Sequence, residues 1–176
     1  MAENLRISKD DVTYIRLEKD EDIRGFSCSE PLLNAFLYED ASDDAENKYS
    51  VTHLVKYNNE IVGFFTLVND TVNVDLLNDE CYSDYPYRKM PAVKIARLAT
   101  DERYVHRGVG SLMLRHIFIY VDVIASLSGC RVITVDAKKE ALGFYRRYAF
   151  RDVRSKSNLQ YIPMYLDFKF LLEEMQ

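Results

Sequence analysis

Three cysteines in 176 residues are too few, and too widely spaced, for a metal cluster or a full disulfide framework. Cys28, Cys81 and Cys130 read as reduced thiols of a cytosolic chain, each a small core or surface residue. No apolar run approaches the roughly 20 residues of a membrane span. The opening MAENLRISKDD is polar and lacks the apolar segment of a secretory signal. The expectation is a cytoplasmic protein with no membrane partner. Positive charge is also short: 23 Lys and Arg against 28 Asp and Glu leave a net charge of -5. That balance argues against a general nucleic-acid surface while leaving room for a local basic patch. No internal repeat and no low-complexity tract breaks the chain. Apolar residues, at 48%, are plentiful enough for one substantial core, so a single domain over 1–176 is expected.

The pattern of apolar residues predicts mixed α/β structure. Thr13 to Leu17 alternates as a first strand. Ser29 is placed to cap a helix whose first turn holds Glu30 and Pro31, with Leu32, Leu33, Phe36 and Leu37 at helical spacing. That helix runs to about Asp44 and ends in the acidic stretch Glu39 to Glu46, which reads as a solvated face or a substrate-recognition element. Ser50 to Tyr57 and Glu60 to Asn69 form a hairpin across Asn58-Asn59, two residues that tolerate positive φ. Asp75 to Pro91 is a long polar connection suited to shaping a substrate cleft. Val93 to Thr100 is a central strand, followed by a helix from about Gly108 to Leu127 that Gly129 ends. Cys130 to Val135 is a further strand, Lys138 to about Tyr148 a shorter helix, and Tyr161 to Phe168 a last strand. The order β-α-β-β-β-α-β-α-β describes a mixed sheet flanked by helices.

Chemistry concentrates where a buried strand passes into a helix, in VKIARLATDERYVHRGVGSLMLRHIFIY. Gly108 and Gly110 in the first helical turn let backbone approach a ligand closely. The amides of a helix start point outward and favour an anion, with Arg107 adding charge nearby. A phosphate or pyrophosphate is the expected guest. A P-loop would need a Lys after the second glycine, and a dinucleotide fingerprint a third glycine at position 113, which is Met113. A tight turn with no ligand also fits two glycines at this spacing.

With those residues in view, the chain resembles the GNAT superfamily of N-acetyltransferases. The family's Gln/Arg-x-x-Gly-x-Gly/Ala turn is similar to Val105-His106-Arg107-Gly108-Val109-Gly110, with Val105 departing from Gln or Arg. Its Ala-x-x-Phe-Tyr-x-x-x-Gly-Phe motif is similar to Ala141-Leu142-Gly143-Phe144-Tyr145-Arg146-Arg147-Tyr148-Ala149-Phe150, with Ala149 replacing glycine. The resemblance spans about Thr13 to Phe168 and implies a mostly antiparallel sheet. It also implies acetyl-CoA as co-substrate, no metal, and direct attack of a primary amine on the acetyl thioester in a ternary complex. Arg107, Gly108, Val109, Gly110 and Ser111 would hold the pyrophosphate, and the backbone at Leu98, Ala99 and Thr100 would face the acetyl and pantetheine end. Tyr145 would be the general acid that protonates the departing thiolate.

No general base stands out. Asp101, Glu102 and Asp136 follow strand ends, and His53, His106 and His116 are scattered. Arg97, within the central strand, either leans toward substrate or sits in an ion pair. A narrower likeness joins GFSCSEPLL at 25–33, Val62-Gly63-Phe64-Phe65 and Ile95-Ala96-Arg97-Leu98-Ala99 to GNAT toxins that acetylate aminoacyl-tRNA and are held by an antitoxin. The acidic charge weighs against tRNA, whereas the cluster Arg88, Lys89, Arg146, Arg147, Arg151, Arg154 and Lys156 weighs for it. A small-molecule or protein N-acetyltransferase and a non-catalytic acetyl-CoA-binding module are the other readings. A homodimer is the family-level expectation.

Overall fold

Seven strands join in the order β1-β2-β3-β4-β5-β7-β6. The computed structural model describes residues 6–77, 82, 84–154 and 160–169. The strands are β1 (Val12–Arg16), β2 (Val51–Tyr57), β3 (Glu60–Asn73), β4 (Lys89–Thr100), β5 (Val132–Lys138), β6 (Arg151–Asp152) and β7 (Tyr161–Asp167). Neighbours β1 and β2, β2 and β3, β5 and β7, and β6 and β7 pair antiparallel, while β4 and β5 pair parallel. A parallel pair needs a crossover, which α3 (Val109–Ser128) supplies. The mixed, mostly antiparallel α/β architecture agrees with the apolar pattern.

By packing, the chain falls into two compact units, 1–68 with 96–119 and 69–95 with 120–176. The strands β3 and β4 and the helix α3 each contribute residues to both. In the first unit, Asn58 and Asn59 sit at φ 49° and 65° and close the expected hairpin. Leu17, Phe26, Phe36, Leu37, Leu54, Phe64 and Ala99 form its core, and each fully buried large side chain contributes about 1.5–3 kcal/mol. The first helix differs from expectation. It starts as α1 (Pro31–Ala35) with Glu30, not Ser29, at the cap position. A π turn (Phe36–Asp40) follows, in which Ala41 N–H reaches back to Phe36 O, before α2 (Ala41–Glu46). The anchoring role expected of Ser29 falls to Asn34, whose side chain bonds both the N–H (2.9 Å) and the C=O (2.8 Å) of Cys28.

The second unit is built on β5, whose Val132, Ile133, Thr134 and Val135 are all buried, as a strand covered on both faces requires. Val72, Leu77, Tyr82, Met90, Ala92, Val132, Val153 and Tyr165 pack together. Asp167 accepts from Tyr82 Oη (2.6 Å) and Arg131 Nη2 (2.9 Å). The connection expected from Asp75 to Pro91 is shorter than the sequence implies, because β4 begins at Lys89. Cys81 and Lys156 lie outside the described residues.

By length and composition, α3 is apolar enough to cross a membrane, which corrects the expectation that no such run exists. Its Val109, Leu112, Met113, Leu114, Ile117 and Val121 are buried within the protein. Gly129, at φ 70°, ends it, its N–H bonded to Ala125 O at 3.2 Å. The later helix is shorter than expected: a 3-10 turn (Lys139–Ala141) precedes α4 (Leu142–Arg146). Ala149, standing where the resemblance has glycine, keeps the left-handed backbone at φ 62°. A β-carbon in that region costs about 1–2 kcal/mol. Ala149→Gly should therefore raise stability by about 0.5–1 kcal/mol, the relief being partly offset by the freer unfolded chain. A higher urea midpoint at unchanged slope checks it, and a lower midpoint would show that the turn carries no strain.

Candidate active site

The ladder between β4 and β5 runs from Ala92–Val132 to Ile95–Val135 and stops, while β4 continues to Thr100. In that continuation Leu98 and Thr100 are partly exposed and Ala99 is buried. Gly63 of β3 lies against it. A β-carbon there would meet Ala99 O at 2.9 Å, Met113 Sδ at 3.0 Å and Val109 Cγ1 at 3.0 Å. Absence of a side chain at Gly63 is thus what lets β3, β4 and the start of α3 converge. Sequence reasoning noted Gly63 only as part of a motif; a glycine inside an unbroken apolar strand was the available signal.

After Thr100 the chain is held by Asp101. Its buried carboxylate accepts from Ser27 N–H (3.0 Å), Arg103 N–H (3.0 Å) and Arg103 Nε (2.9 Å). Burial pushes this carboxyl up, but the Arg103 side chain and the two backbone N–H groups outweigh it and hold its pKa below the ordinary value. A carboxylate so fully engaged clamps the turn, which favours the loop-carboxylate role over a general base. Glu102 N–H donates to Ser27 O (2.9 Å). Arg103 also bridges to Glu60 at 2.8 Å.

The turn then bends through His106 (φ 62°) and Gly108 (φ 87°). Even a methyl group at Gly108 would press on Arg6 Cγ at 3.3 Å. The carbonyl of Arg107 is taken by Ile7 N–H (3.0 Å), and Leu112 N–H bonds Gly108 O (3.1 Å). The amides of Val109, Gly110 and Ser111 precede that bond and by helix geometry have no carbonyl of their own helix. They form the positive end of a 20-residue dipole, and the Arg6 side chain packs where a Cβ at Gly108 would stand. These residues fit a pyrophosphate. The Arg107 guanidinium is placed over the rings of Tyr104 (5.0 Å) and Tyr57 (5.6 Å), so its charge rests on aromatic faces beside the turn. Val105 is 44% exposed and brings no polar group.

Two of the scattered histidines meet. His53 stacks on Phe65 (5.1 Å), which lies 6.4 Å from His116, itself stacked on Tyr14 at 3.6 Å. Burial lowers both imidazole pKa values, that of His53 to about 4 with help from His116 and Arg16. Both are neutral packing groups at physiological pH. Burial also raises the Cys28 and Cys130 thiols, which keeps them protonated. Arg97 places its guanidinium carbon over the Phe36 ring, 3.3 Å from the centroid. Burial lowers its pKa, opposed by the carboxylates of Asp44 and Asp40. It thus combines a stacked position with nearby acidic charge, where the sequence had offered two alternatives.

In the second unit, Tyr145 is 6% exposed, with Phe144 and Phe150 edge-on at 5.1 and 5.3 Å. Burial pushes its phenol well above the ordinary value, so the hydroxyl keeps its proton at any physiological pH and is available as a donor. Asp136, another candidate base, is bonded to Lys94 Nζ at 2.5 Å. Among the described residues no three His, Cys, Asp or Glu gather as a metal site.

Known proteins resemble this chain in sequence and fold. The chain is 28% identical over 143 residues to a tRNA-acetylating toxin of Mycobacterium tuberculosis (strain ATCC 25618 / H37Rv), covering 77% of this chain and 81% of that one. Its fold is similar to AtaT complexed with acetyl-methionyl-tRNAfMet, with a TM-score of 0.85, 22% identity, and 94% and 100% of the two chains covered. It is also similar to AtaTR bound with AcCoA, with a TM-score of 0.79, 24% identity, and 95% and 99% covered. Residues 48–152 match the family model of the acetyltransferase (GNAT) domain. An anion-ready turn backed by a glycine-spaced strand, in this fold and with this match, places the chain in the GNAT family, as an N-acetyltransferase that uses acetyl-CoA.

Proposed function

We propose that this enzyme acetylates the α-amino group of aminoacyl-tRNA. The observation that carries this reading is the likeness to a tRNA-acetylating toxin over 77% of the chain. Its support in the molecule is electrostatic. Although the chain carries a net charge of -5, Arg88, Lys89, Arg146, Arg147, Arg151 and Arg154 are all exposed in the second unit. Arg146 is paired with Asp152 at 2.9 Å; exposed basic residues of this number are what phosphate binding draws on. The cytoplasm, where acetyl-CoA and charged tRNA meet, is the implied location. An antitoxin and a second copy of the chain are the implied protein partners, and 1–176 is read as one acetyltransferase domain.

In this reading the amides of Gly108 to Ser111 hold the pyrophosphate, the Arg107 N–H expected to join them being bonded to Tyr104 O at 3.3 Å, and the backbone of Leu98, Ala99 and Thr100 aligns the acetyl end. Acetyl-CoA supplies the activated acetyl group. The amine attacks the thioester carbonyl carbon; a C–N bond forms, the C–S bond breaks, and the sulfur takes the electron pair. The Tyr145 hydroxyl donates to that sulfur as charge develops. The amine's proton leaves to solvent; Asp101 and Asp136 are both engaged elsewhere, and Glu102 is exposed to water.

The test is acetyl transfer from acetyl-labelled acetyl-CoA into a cell extract, with and without RNase. Label is expected in RNA, released by mild alkali as an N-acetylated amino acid. Label confined to proteins or free small amines would overturn the tRNA reading, and cofactor binding with no transfer to any amine would overturn catalysis itself.

A further inference from the structure

Within the second unit a cavity of about 300 Å³ opens over β4, β5 and β7 and the end of β3. Lys89, Lys94 and Arg154 line it, against the carboxylates of Asp70 and Asp136. Asp136 is ion-paired, and Asp70 is hydrogen-bonded while keeping its charge. Asp70 Oδ2 accepts from Thr134 Oγ1 at 2.7 Å, and Asp136 Oδ2 accepts from Lys94 Nζ at 2.5 Å. The lining is therefore one positive charge in excess, in a chain whose net charge has the opposite sign. Lys89 is exposed and makes no ion pair among the described residues. The wall carrying Arg154 is fixed: Arg154 N–H bonds Leu76 O at 2.7 Å, and Val153 N–H bonds Pro163 O at 2.9 Å.

Size and charge select the guest. A volume near 300 Å³ lies at the lower end of small-ligand pockets and admits one nucleotide but no duplex. Three cations against two carboxylates in the lining favour a phosphate over an ammonium group. We infer that this cavity seats a terminal nucleotide of the acceptor RNA, with its phosphate beside Lys89 and Arg154. The inference rests on the aminoacyl-tRNA reading and adds where the RNA end is held.

Steady-state acetylation of aminoacyl-tRNA by the full chain tests it, with Lys89→Glu/Arg154→Gln beside the wild type and Lys89→Arg as the conservative variant. Because both side chains are exposed, melting temperatures should match. The double variant should raise KM for aminoacyl-tRNA by about tenfold or more and flatten its salt dependence by about one to two counterions. KM for acetyl-CoA should stay within about twofold, and Lys89→Arg should keep the wild-type KM. If wild type acetylates aminoacyl-tRNA and the double variant does so with unchanged KM and salt slope, the cavity assignment falls and the tRNA reading stands. If wild type transfers acetyl to no aminoacyl-tRNA, both fall together.

Discussion

Tyr145→Phe is expected to lower kcat by about 10- to 100-fold, within the range of a general acid that assists a good leaving group. KM for acetyl-CoA should hardly move. The reason for the split lies in what the substitution removes. The ring stays and keeps its edge contacts with Phe144 and Phe150, so the unit's packing survives. Only the hydroxyl goes, and no hydrogen bond among the described residues engages it. A phenol held well above its ordinary pKa by burial gives up a proton reluctantly, so its contribution is a hydrogen bond to the forming thiolate, stronger in the transition state than in the ground state. The effect should therefore appear in kcat and kcat/KM alike. Wild-type kcat in the variant would return Tyr145 to the status of a core aromatic.

Asp101→Ala should cost about 3 kcal/mol of stability, a value set by leaving buried donors without their charged acceptor. Ser27 N–H, Arg103 N–H and the Arg103 side chain all converge on this carboxylate. Half-exposed Arg103 can turn to water, which keeps the cost below that of a wholly buried pair. Urea unfolding measures it as a lower midpoint at unchanged slope. Acetyl-CoA affinity should fall too, since the clamp immediately precedes the turn at Arg107 to Ser111. A variant as stable as wild type would show that the turn holds without its clamp.

The same carboxylate makes stability depend on pH. Its pKa is depressed in the folded state, so its contribution is complete above the unfolded value, near 4, and is lost as pH falls through the folded one. His53 acts earlier. Its folded pKa of about 4 lies below the ordinary 6.5, so the unfolded chain binds the proton first and stability drains between those two values, by on the order of 2–3 kcal/mol. Acid unfolding should thus begin near pH 6 and steepen below 4, and Asp101→Asn should remove the second phase alone.

Much of this was legible because it depends on neighbours in the chain. Asn58-Asn59 adopts positive φ since two Asn residues tolerate it, so the hairpin was readable from two letters. Apolar residues from Val109 to Val121 repeat at helical spacing, and Gly129 stops the helix where it stands. The Gly108 turn needed no partner to be recognised, since a helix start presents free amides by its own geometry. Ala149 shows the limit of local inference. The letter departs from the motif, yet the backbone keeps the conformation glycine would prefer, because hydrogen bonds from Tyr148, Ala149 and Phe150 hold the turn.

Other features belong to residues far apart in the chain. The sequence by itself determined the order of most elements, the anion-ready turn and the two motifs that mark an acetyltransferase, all matters of local geometry and spacing. Only the tertiary structure decided that Asp101 is a clamp, since its donors come from Ser27 as well as Arg103. It alone decided that Gly63 sets the approach of β3, β4 and α3, that Arg97 lies on Phe36 across a π turn, and that Lys89 and Arg154 share a cavity. In each case the deciding interaction joins residues tens of positions apart, and a side chain's role is set by what packs around it once water is excluded.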